Sequence, residues 1–117
     1  MSTEKKTRTI TLTGRAPVTI DEAVWPVVAR AAKDRDHNNQ ELFRRYYLTV
    51  RKHADGRALV YGTYSTSWQG EEGKRGGYQI DKEADVAATI AEVGELIGAP
   101  QSVIDECVAD LPAEELT

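Results

Sequence analysis

The sequence contains little cysteine or histidine and no long apolar run. Its one cysteine, Cys107, cannot form an internal disulfide, and two histidines with one cysteine fall short of the four ligands of a structural zinc site. No apolar run approaches the ~18 residues of a transmembrane helix, and the start, MSTEKKTR, lacks the apolar stretch of a signal peptide. We therefore expect a protein of the reducing cytoplasm that has no membrane span, bound metal or cofactor.

Residue patterns typical of catalysis are also missing. Cys107 falls on the apolar stripe of a predicted helix, as a small buried hydrophobic residue does. Ser65 and Ser67 lack a motif that would activate a nucleophile, and no pair of carboxylates stands out for acid–base work. The stretch SWQGEEGKRGGY, residues 67–78, lacks the spacing and the following helix of a phosphate-binding loop. The sequence thus predicts a protein that is not an enzyme and has no catalytic residues.

The length and the charge distribution indicate one domain with two electrostatically different parts. A chain of 117 residues, 40% hydrophobic and 29% charged, suits a single globular domain over residues 1–117, with residues 1–6 and 113–117 frayed. Residues 1–80 hold 14 Lys/Arg and 9 Asp/Glu, a net charge of +5. Residues 81–117 hold one Lys and ten acids, a net charge of −9. This split predicts a basic and an acidic face, or an acidic tail.

Local patterns predict the element order β-α-β-β-(β)-α-α. Residues 7–13 alternate like a strand. Residues 18–33 begin with the capping-box pair Thr19 and Glu22 and continue with apolar residues at helical spacing. A short fourth strand over residues 76–80 and two C-terminal helices follow, one over residues 83–98 and the next beginning at Pro100. We expect a single α+β domain with an antiparallel sheet of three to four strands, a helix after the first strand and two C-terminal helices.

The clearest pattern is a hairpin over residues 42–68. It centres on Asp55-Gly56, a pair that favours a two-residue turn and would place Lys52 opposite Leu59. The same register pairs Val50 with Tyr61 and Leu48 with Thr63. Alternation then divides the side chains between two faces. The core face is predicted to hold Tyr46, Leu48, Val50, Leu59 and Tyr61, and the other face Arg45, Tyr47, Thr49, Arg51, Val60, Tyr64 and Trp68.

The second of these faces is the candidate binding surface. Trp, Tyr and Arg are enriched at the energetic centres of protein interfaces. We therefore expect a protein partner to bind this face together with the loop over residues 68–77. The predicted partner-binding residues are Arg45, Tyr47, Arg51, Tyr64, Trp68, Gln69 and Arg75.

Three alternatives remain open for these residues. The basic hairpin over residues 44–57 predicts a nucleic-acid-binding accessory factor, using Arg44, Arg45, Arg51, Lys52 and Arg57. The aromatic face can equally be the interface of a homodimer. In the third alternative, the aliphatic parts of the arginine side chains pack over the tyrosine rings of a covered or partly solvated sheet, and the face binds no partner.

Three segments resemble a known family: ITLTGRAPVTIDEAVWP, VRKHADGRALVYGTYSTSWQGE and CVADLPAEEL. They are similar to segments of small bacterial proteins from accessory and mobile-element DNA, such as plasmids and integrated elements. The resemblance implies no particular activity or site residue. It implies a setting in which small acidic proteins bind host or element proteins, including restriction and CRISPR machinery.

Overall fold

The computed structural model describes residues 6–34, 44–66, 70 and 72–113 of the chain. They form a single compact α+β domain in which six antiparallel strands, in a two-stranded and a four-stranded sheet, precede two helices. The elements are β1 (Thr7–Ile10), β2 (Val18–Asp21), β3 (Val27–Asp34), β4 (Arg44–Lys52), β5 (Ala58–Thr66), β6 (Lys74–Ile80), α1 (Val86–Ile97) and α2 (Gln101–Ala109). Neither helix has the length and apolar character needed to cross a membrane, within the residues described.

The predicted helix over residues 18–33 is wrong, because this segment forms β2 and β3. Thr19 does not cap a helix; its hydroxyl lies 3.1 Å from that of Thr9 across the β1–β2 pair. Asp21 closes a turn by accepting the backbone N–H of Ala23 at 2.9 Å. The segment is rich in β-branched residues, which pack well on a pleated surface.

The pattern along β3 has a period of two. Ala29 and Ala31 are buried, whereas Arg30 and Ala32, which alternate with them, are exposed. A bulge between Val27 and Ala29 offsets the start of the strand. The apolar residues at helical spacing in this segment therefore belong to a strand. In a short apolar run, the spacing alone does not distinguish a strand from a helix.

The central hairpin forms as predicted, but its register differs by one residue. His53 and Arg57 close a three-residue loop, with the His53 N–H donating to the Arg57 carbonyl at 2.8 Å. Gly56 takes the positive φ, +99°, that such a loop requires. Lys52 thus pairs with Ala58, Val50 with Val60 and Leu48 with Gly62, instead of the partners expected from a two-residue turn.

A shift of one residue moves every β5 side chain to the other face. Tyr46, Leu48 and Val50 face the main core as predicted, and they are joined there by Val60 and Tyr64. The prediction that placed Leu59 and Tyr61 in this core is wrong, as is the one that placed Val60 and Tyr64 outside it. Leu59 is buried, but in a second core on the opposite face of the sheet.

Two helices cover the first face of the four-stranded sheet, whose strand order is β3-β4-β5-β6. The Asp85 carboxylate caps α1 by accepting the Ala88 N–H at 3.1 Å, and Gly98 ends the helix with φ +72°. Pro100 caps α2 instead of being its first residue. The predicted C-terminal helices are therefore confirmed, and the buried residues of α1 are Ile90, Val93, Gly94 and Ile97.

The β1–β2 hairpin covers part of the opposite face. Its inward side chains Ile10, Leu12 and Ile20 pack with Trp25 and with Leu59 of the main sheet. Trp25 is 9% exposed, and its ring meets that of His53 edge-on, with the centroids 5.0 Å apart. The helices thus cover most of one face of the four-stranded sheet, leaving an open hollow of about 460 Å³ lined by Tyr46, Tyr64 and Ile97 among others, and the hairpin covers part of the other face.

Candidate partner-binding groove

The partial cover by β1–β2 leaves a groove on the sheet face that points away from the helices. The sheet is its floor and the hairpin is its wall. It consists of two hollows of about 280 Å³ and 140 Å³, both lined by Arg8, Tyr61, Gly62 and Thr63. The larger hollow adds Val27, Arg30, Tyr47, Thr49 and Arg51; the smaller adds Thr9, Ile10, Thr11 and Arg75. We call this region the arginine groove.

Strand register explains why these side chains lie together. Tyr47 pairs with Thr63, and Thr63 in turn pairs with Arg75, so one row crosses β4, β5 and β6. The neighbouring row runs from Arg30 through Thr49 to Tyr61. Cross-strand neighbours share a face, so residues from four strands meet in the arginine groove.

Arg51 anchors the inner end of the groove. The residue is 6% exposed, and three of its nitrogens donate hydrogen bonds. Nε donates to the Tyr61 hydroxyl at 2.8 Å, one terminal nitrogen to the Trp25 carbonyl at 2.9 Å, and the other to Glu22 Oε1 at 3.2 Å. A buried guanidinium needs such a set of acceptors, because an unpaired buried charge is costly.

Glu22 links the wall of the groove to its floor. Its Oε1 accepts from Arg8 Nε at 2.7 Å and also from Arg51. The hydrogen bond from Arg8 lowers the pKa of the Glu22 carboxyl, with smaller contributions from the charges of Arg8 and Arg51. The same bond raises the pKa of Arg8. The pair therefore stays ionised at neutral pH.

The arginine groove is strongly cationic. Arg8, Arg30, Arg51 and Arg75 bring four positive charges. The Glu22 carboxylate contacts Arg8 and Arg51, and the Asp110 carboxylate accepts the Arg30 backbone N–H at 2.9 Å, which leaves a net charge of +2. Within the described residues, no ion pair involves Arg30 or Arg75. Every cation of the groove is an arginine, whose planar fork matches carboxylate or phosphate oxygens in pairs.

The acidic part of the chain lies on the other side of the sheet. Exposed acids on and just before the helices include Glu83, Asp85, Glu92, Glu95, Asp105 and Glu106. The helical layer is therefore rich in acids, but Lys33, Arg44, Lys52 and Lys74 of the sheet also face the helices, so the charge split along the sequence is only partly a split in space.

The structure brings part of the predicted partner-binding set together. Arg45, Tyr47 and Arg51 share one face of β4, and Arg75 joins them through Thr63. Tyr64 does not: it is buried on the helix side and stacks on Tyr46, with the ring centroids 4.9 Å apart. The register shift of β5 is the reason. Trp68 and Gln69 lie outside the described residues.

The predicted loop over residues 68–77 also changes. Its second half belongs to β6, which begins at Lys74, earlier than the short strand expected at residue 76. Lys74 and Arg75 consequently point to opposite faces, Lys74 opposite Tyr64 and Arg75 opposite Thr63.

The groove residues that sequence reasoning missed include Arg8, Arg30 and Tyr61. Arg30 was placed on a helix, because VVARAAKD does not alternate in polarity and the period of two is visible only in the burial of β3. Tyr61 was assigned to the core by the two-residue turn. Arg8 is brought over the sheet by tertiary packing of the hairpin, for which the sequence offered no signal.

The basic residues of the central hairpin do not form one surface. Arg44 and Lys52 lie at opposite ends of β4 on the helix side, whereas Arg45 and Arg51 face the groove. Arg57 lies at the hairpin tip, where it pairs with Asp55 at 2.8 Å and covers the Trp25 ring at 5.2 Å. The nucleic-acid alternative that uses all five of these residues together therefore lacks a common surface.

Other kinds of site are not apparent in the part of the chain that the structure describes. There, no group of three or more His, Cys, Asp or Glu side chains is placed to hold a metal ion. Cys107 is fully buried, and burial raises the pKa of its thiol to about 11. Comparisons of the chain with protein-family models, with curated proteins and with solved structures return no match.

Proposed function

We propose that this protein is a small non-catalytic module that binds a protein partner in the arginine groove. One observation carries the proposal: the four-stranded sheet is covered by helices on one face, yet its other face is left partly open and lined with arginine and tyrosine. An antiparallel sheet can leave one face in solvent, so what supports a partner is the composition of the open part, because arginine and tyrosine are enriched at the centres of protein interfaces.

The composition of the groove supports a protein as the partner. Arg and Tyr are enriched in protein interfaces, whereas Lys is depleted there. Tyr47 is 36% exposed and Val27 is 39% exposed; both line the larger hollow, with Val27 opposite Arg51 and Tyr47 opposite Ala32. The bulge in β3 turns Val27 toward the groove while Val28 packs on the main core. Val27 thus offers an apolar contact among the arginines of the groove. Protein interfaces commonly have this arrangement, an apolar centre surrounded by a charged rim.

The proposed setting is the cytoplasm of a bacterium, where the module acts as an accessory or inhibitor-like protein of a mobile element. This part rests on the sequence resemblance. The acidic helical layer offers a second, charge-complementary surface that steers encounter with a basic partner more than it adds affinity.

A nucleic acid is the second candidate for the same groove, and the net positive charge of the groove favours it. Single strands are bound by basic grooves that also carry several stacking rings. Among the described tyrosines, Tyr46 and Tyr64 are buried on the helix side, and Tyr47 is the exposed one. The described groove therefore has the charge for a nucleic acid without the series of exposed rings.

Photo-crosslinking tests the proposal directly. The photoreactive residue p-benzoyl-phenylalanine replaces Tyr47 in the groove or, as the matched control, Leu96 on the helix side; the native side chains are 36% and 39% exposed. In cells of a bacterium that carries the gene, we expect a discrete protein adduct from position 47 in much higher yield than any from position 96. Equal adducts from both positions, or none, would contradict the proposal.

Two further readouts separate the alternatives. An adduct that nuclease treatment removes, with binding that weakens steeply as salt rises, would assign the groove to nucleic acid. An adduct of twice the chain mass, together with a dimer in light scattering that a Tyr47→Ala variant converts to a folded monomer, would assign it to self-association. The proposal expects a monomer and an adduct of another protein.

A further inference from the structure

The arginine groove contains an excess of hydrogen-bond donors at one place, where its two hollows meet. Tyr61 and Arg8 line both hollows. The Tyr61 oxygen accepts the proton of Arg51 Nε at 2.8 Å, so its own O–H remains to be donated. Within the described residues no acceptor takes that proton. The hydroxyl groups of Thr49 and Thr63 add donors beside it.

The positions of the cations divide the groove in two. Arg30 lines the larger hollow and Arg75 the smaller, with Tyr61 and Arg8 between them. Arg30 lies on β3 and Arg75 on β6, three strand spacings apart. At about 4.8 Å per spacing this is roughly 14 Å across the sheet. Arg75 also lies two residues, roughly 7 Å, along the strands from the row of Arg30, so the two backbones are roughly 16 Å apart. The long arginine side chains can close the difference to a spacing of roughly 14 Å.

We propose that the arginine groove recognises two carboxylates of one extended acidic segment of the partner, four residues apart. Each hollow takes one carboxylate, with Arg30 and Arg75 as the outer cations. The single Tyr61 O–H, in the row of Arg30, donates to the carboxylate of the larger hollow, and Arg8 donates to that of the smaller hollow. An extended chain rises about 3.4 Å per residue and places alternate side chains on the same side, so residues i and i+4 span roughly 14 Å facing the groove. This inference rests on the proposed function and names its partner.

Glu22 shows that a carboxylate suits these donors. It belongs to the chain itself, and one of its oxygens accepts from both Arg8 and Arg51. It holds the two guanidinium groups in place, one on the wall and one on the floor. Glu22 is thus a positioning residue for the site.

The test is an NMR titration of the whole protein, labelled with nitrogen-15, at low ionic strength. The probes are nine-residue Gly/Ser peptides that carry two glutamates at positions i and i+4, two adjacent glutamates, or two glutamines at i and i+4. We expect the first peptide to shift the amides of Arg30, Tyr61, Thr63 and Arg75, and to bind more tightly than the other two. Equal binding of all three would overturn the inference.

Paired variants test the named donors. Tyr61→Phe removes one hydroxyl and should weaken binding of the i, i+4 peptide about tenfold, as expected for a hydrogen bond to a charged group. Tyr78→Phe makes the same chemical change on the helix side and should leave binding unchanged. Arg75→Gln should weaken binding, whereas Lys74→Gln, its neighbour on the opposite face, should not. Equal effects within either pair would contradict the assignment.

The variants must remain folded for this comparison, which thermal melting checks. Should Tyr61→Phe melt early because Arg51 loses an acceptor, the exposed pair Arg75 and Lys74 still decides the question. A ten-nucleotide thymidine oligomer that binds more tightly than the peptide and shifts the same amides would overturn the inference in favour of nucleic acid.

The failure of this inference and that of the proposed function are distinguishable. A protein adduct from position 47, with no binding of the glutamate peptides to the groove, would support the proposed function and contradict the inference that the partner presents an acidic segment. Binding of the i, i+4 peptide without any adduct from position 47 would contradict the proposed function and leave only the affinity of the groove for two carboxylates.

Discussion

Arg51 Nε donates a hydrogen bond of 2.8 Å to the hydroxyl of Tyr61 on the adjacent strand. The bond joins the buried inner end of the arginine groove to its open part, because Arg51 also holds the Trp25 carbonyl under the β1–β2 hairpin. One guanidinium thus fixes the position of the hairpin over the sheet and orients the tyrosine hydroxyl that both hollows share.

Truncating Leu48 should destabilise the protein strongly. Leu48 is 1% exposed in the core between the sheet and α1, so Leu48→Ala should cost about 2–5 kcal/mol in the free energy of unfolding. Chemical denaturation measures this cost. Leu96→Ala is the control, because Leu96 is 39% exposed and should lose far less. Similar midpoints for the two variants would contradict the position of the core.

Gly94→Ala tests the contact between α1 and α2. Alanine in a helix interior is favoured over glycine by about 1 kcal/mol, so this change would ordinarily stabilise the protein. Here a Cβ at Gly94 would come 2.4 Å from Cγ1 and 2.5 Å from Cδ1 of Ile104. We expect a lower melting temperature. A higher one would show that the two helices are farther apart than described.

Glu22 should contribute to stability in a pH-dependent way. Since Arg8 lowers its pKa in the folded state, the contribution is present above the ordinary glutamate pKa and is lost as the pH falls through the depressed value. The stabilities of wild type and Glu22→Gln, measured by denaturation, should therefore differ at pH 7 and converge in acid. A constant difference down to pH 2 would be evidence against the pairing with Arg8 and Arg51.

Cys107 should be unreactive in the folded protein. Burial raises its thiol pKa to about 11, and the side chain has no exposed surface. At pH 8 we expect almost no reaction with Ellman's reagent under native conditions and one thiol per chain in denaturant. Rapid reaction of the native protein would place Cys107 outside the core.

The sequence predicted the parts of this fold in which a single local signal dominates. Gly98 and the stripe of Ile90, Val93 and Ile97 located α1, because a helix carries its cap and periodicity in adjacent residues. The Asp55-Gly56 pair located the hairpin. It did not determine the register, since a loop of two or three residues accommodates the same pair and only packing of Val60 against the helices selects one.

The candidate site was harder to predict because it depends on that register. Tyr47 and Arg51 were placed on one face from strand alternation alone, whereas Arg75 was predicted only as part of the loop over residues 68–77. Tyr61 and Tyr64 lie on the faces opposite to those predicted, because the loop between β4 and β5 has three residues and not two. Arg8 and Arg30 depend on how a second hairpin and an edge strand pack against the sheet, which are relationships between residues distant in sequence.

The most direct test of the central claim compares two double variants in the crosslinking experiment at position 47. Arg30→Gln with Arg75→Gln removes two charges from the arginine groove. Lys33→Gln with Lys74→Gln removes two charges from neighbouring positions of β3 and β6 that face the helices. We predict that the first pair lowers the yield of the protein adduct about tenfold or more and that the second leaves it unchanged. Equal yields from the two double variants would contradict the claim that the arginine groove binds the partner.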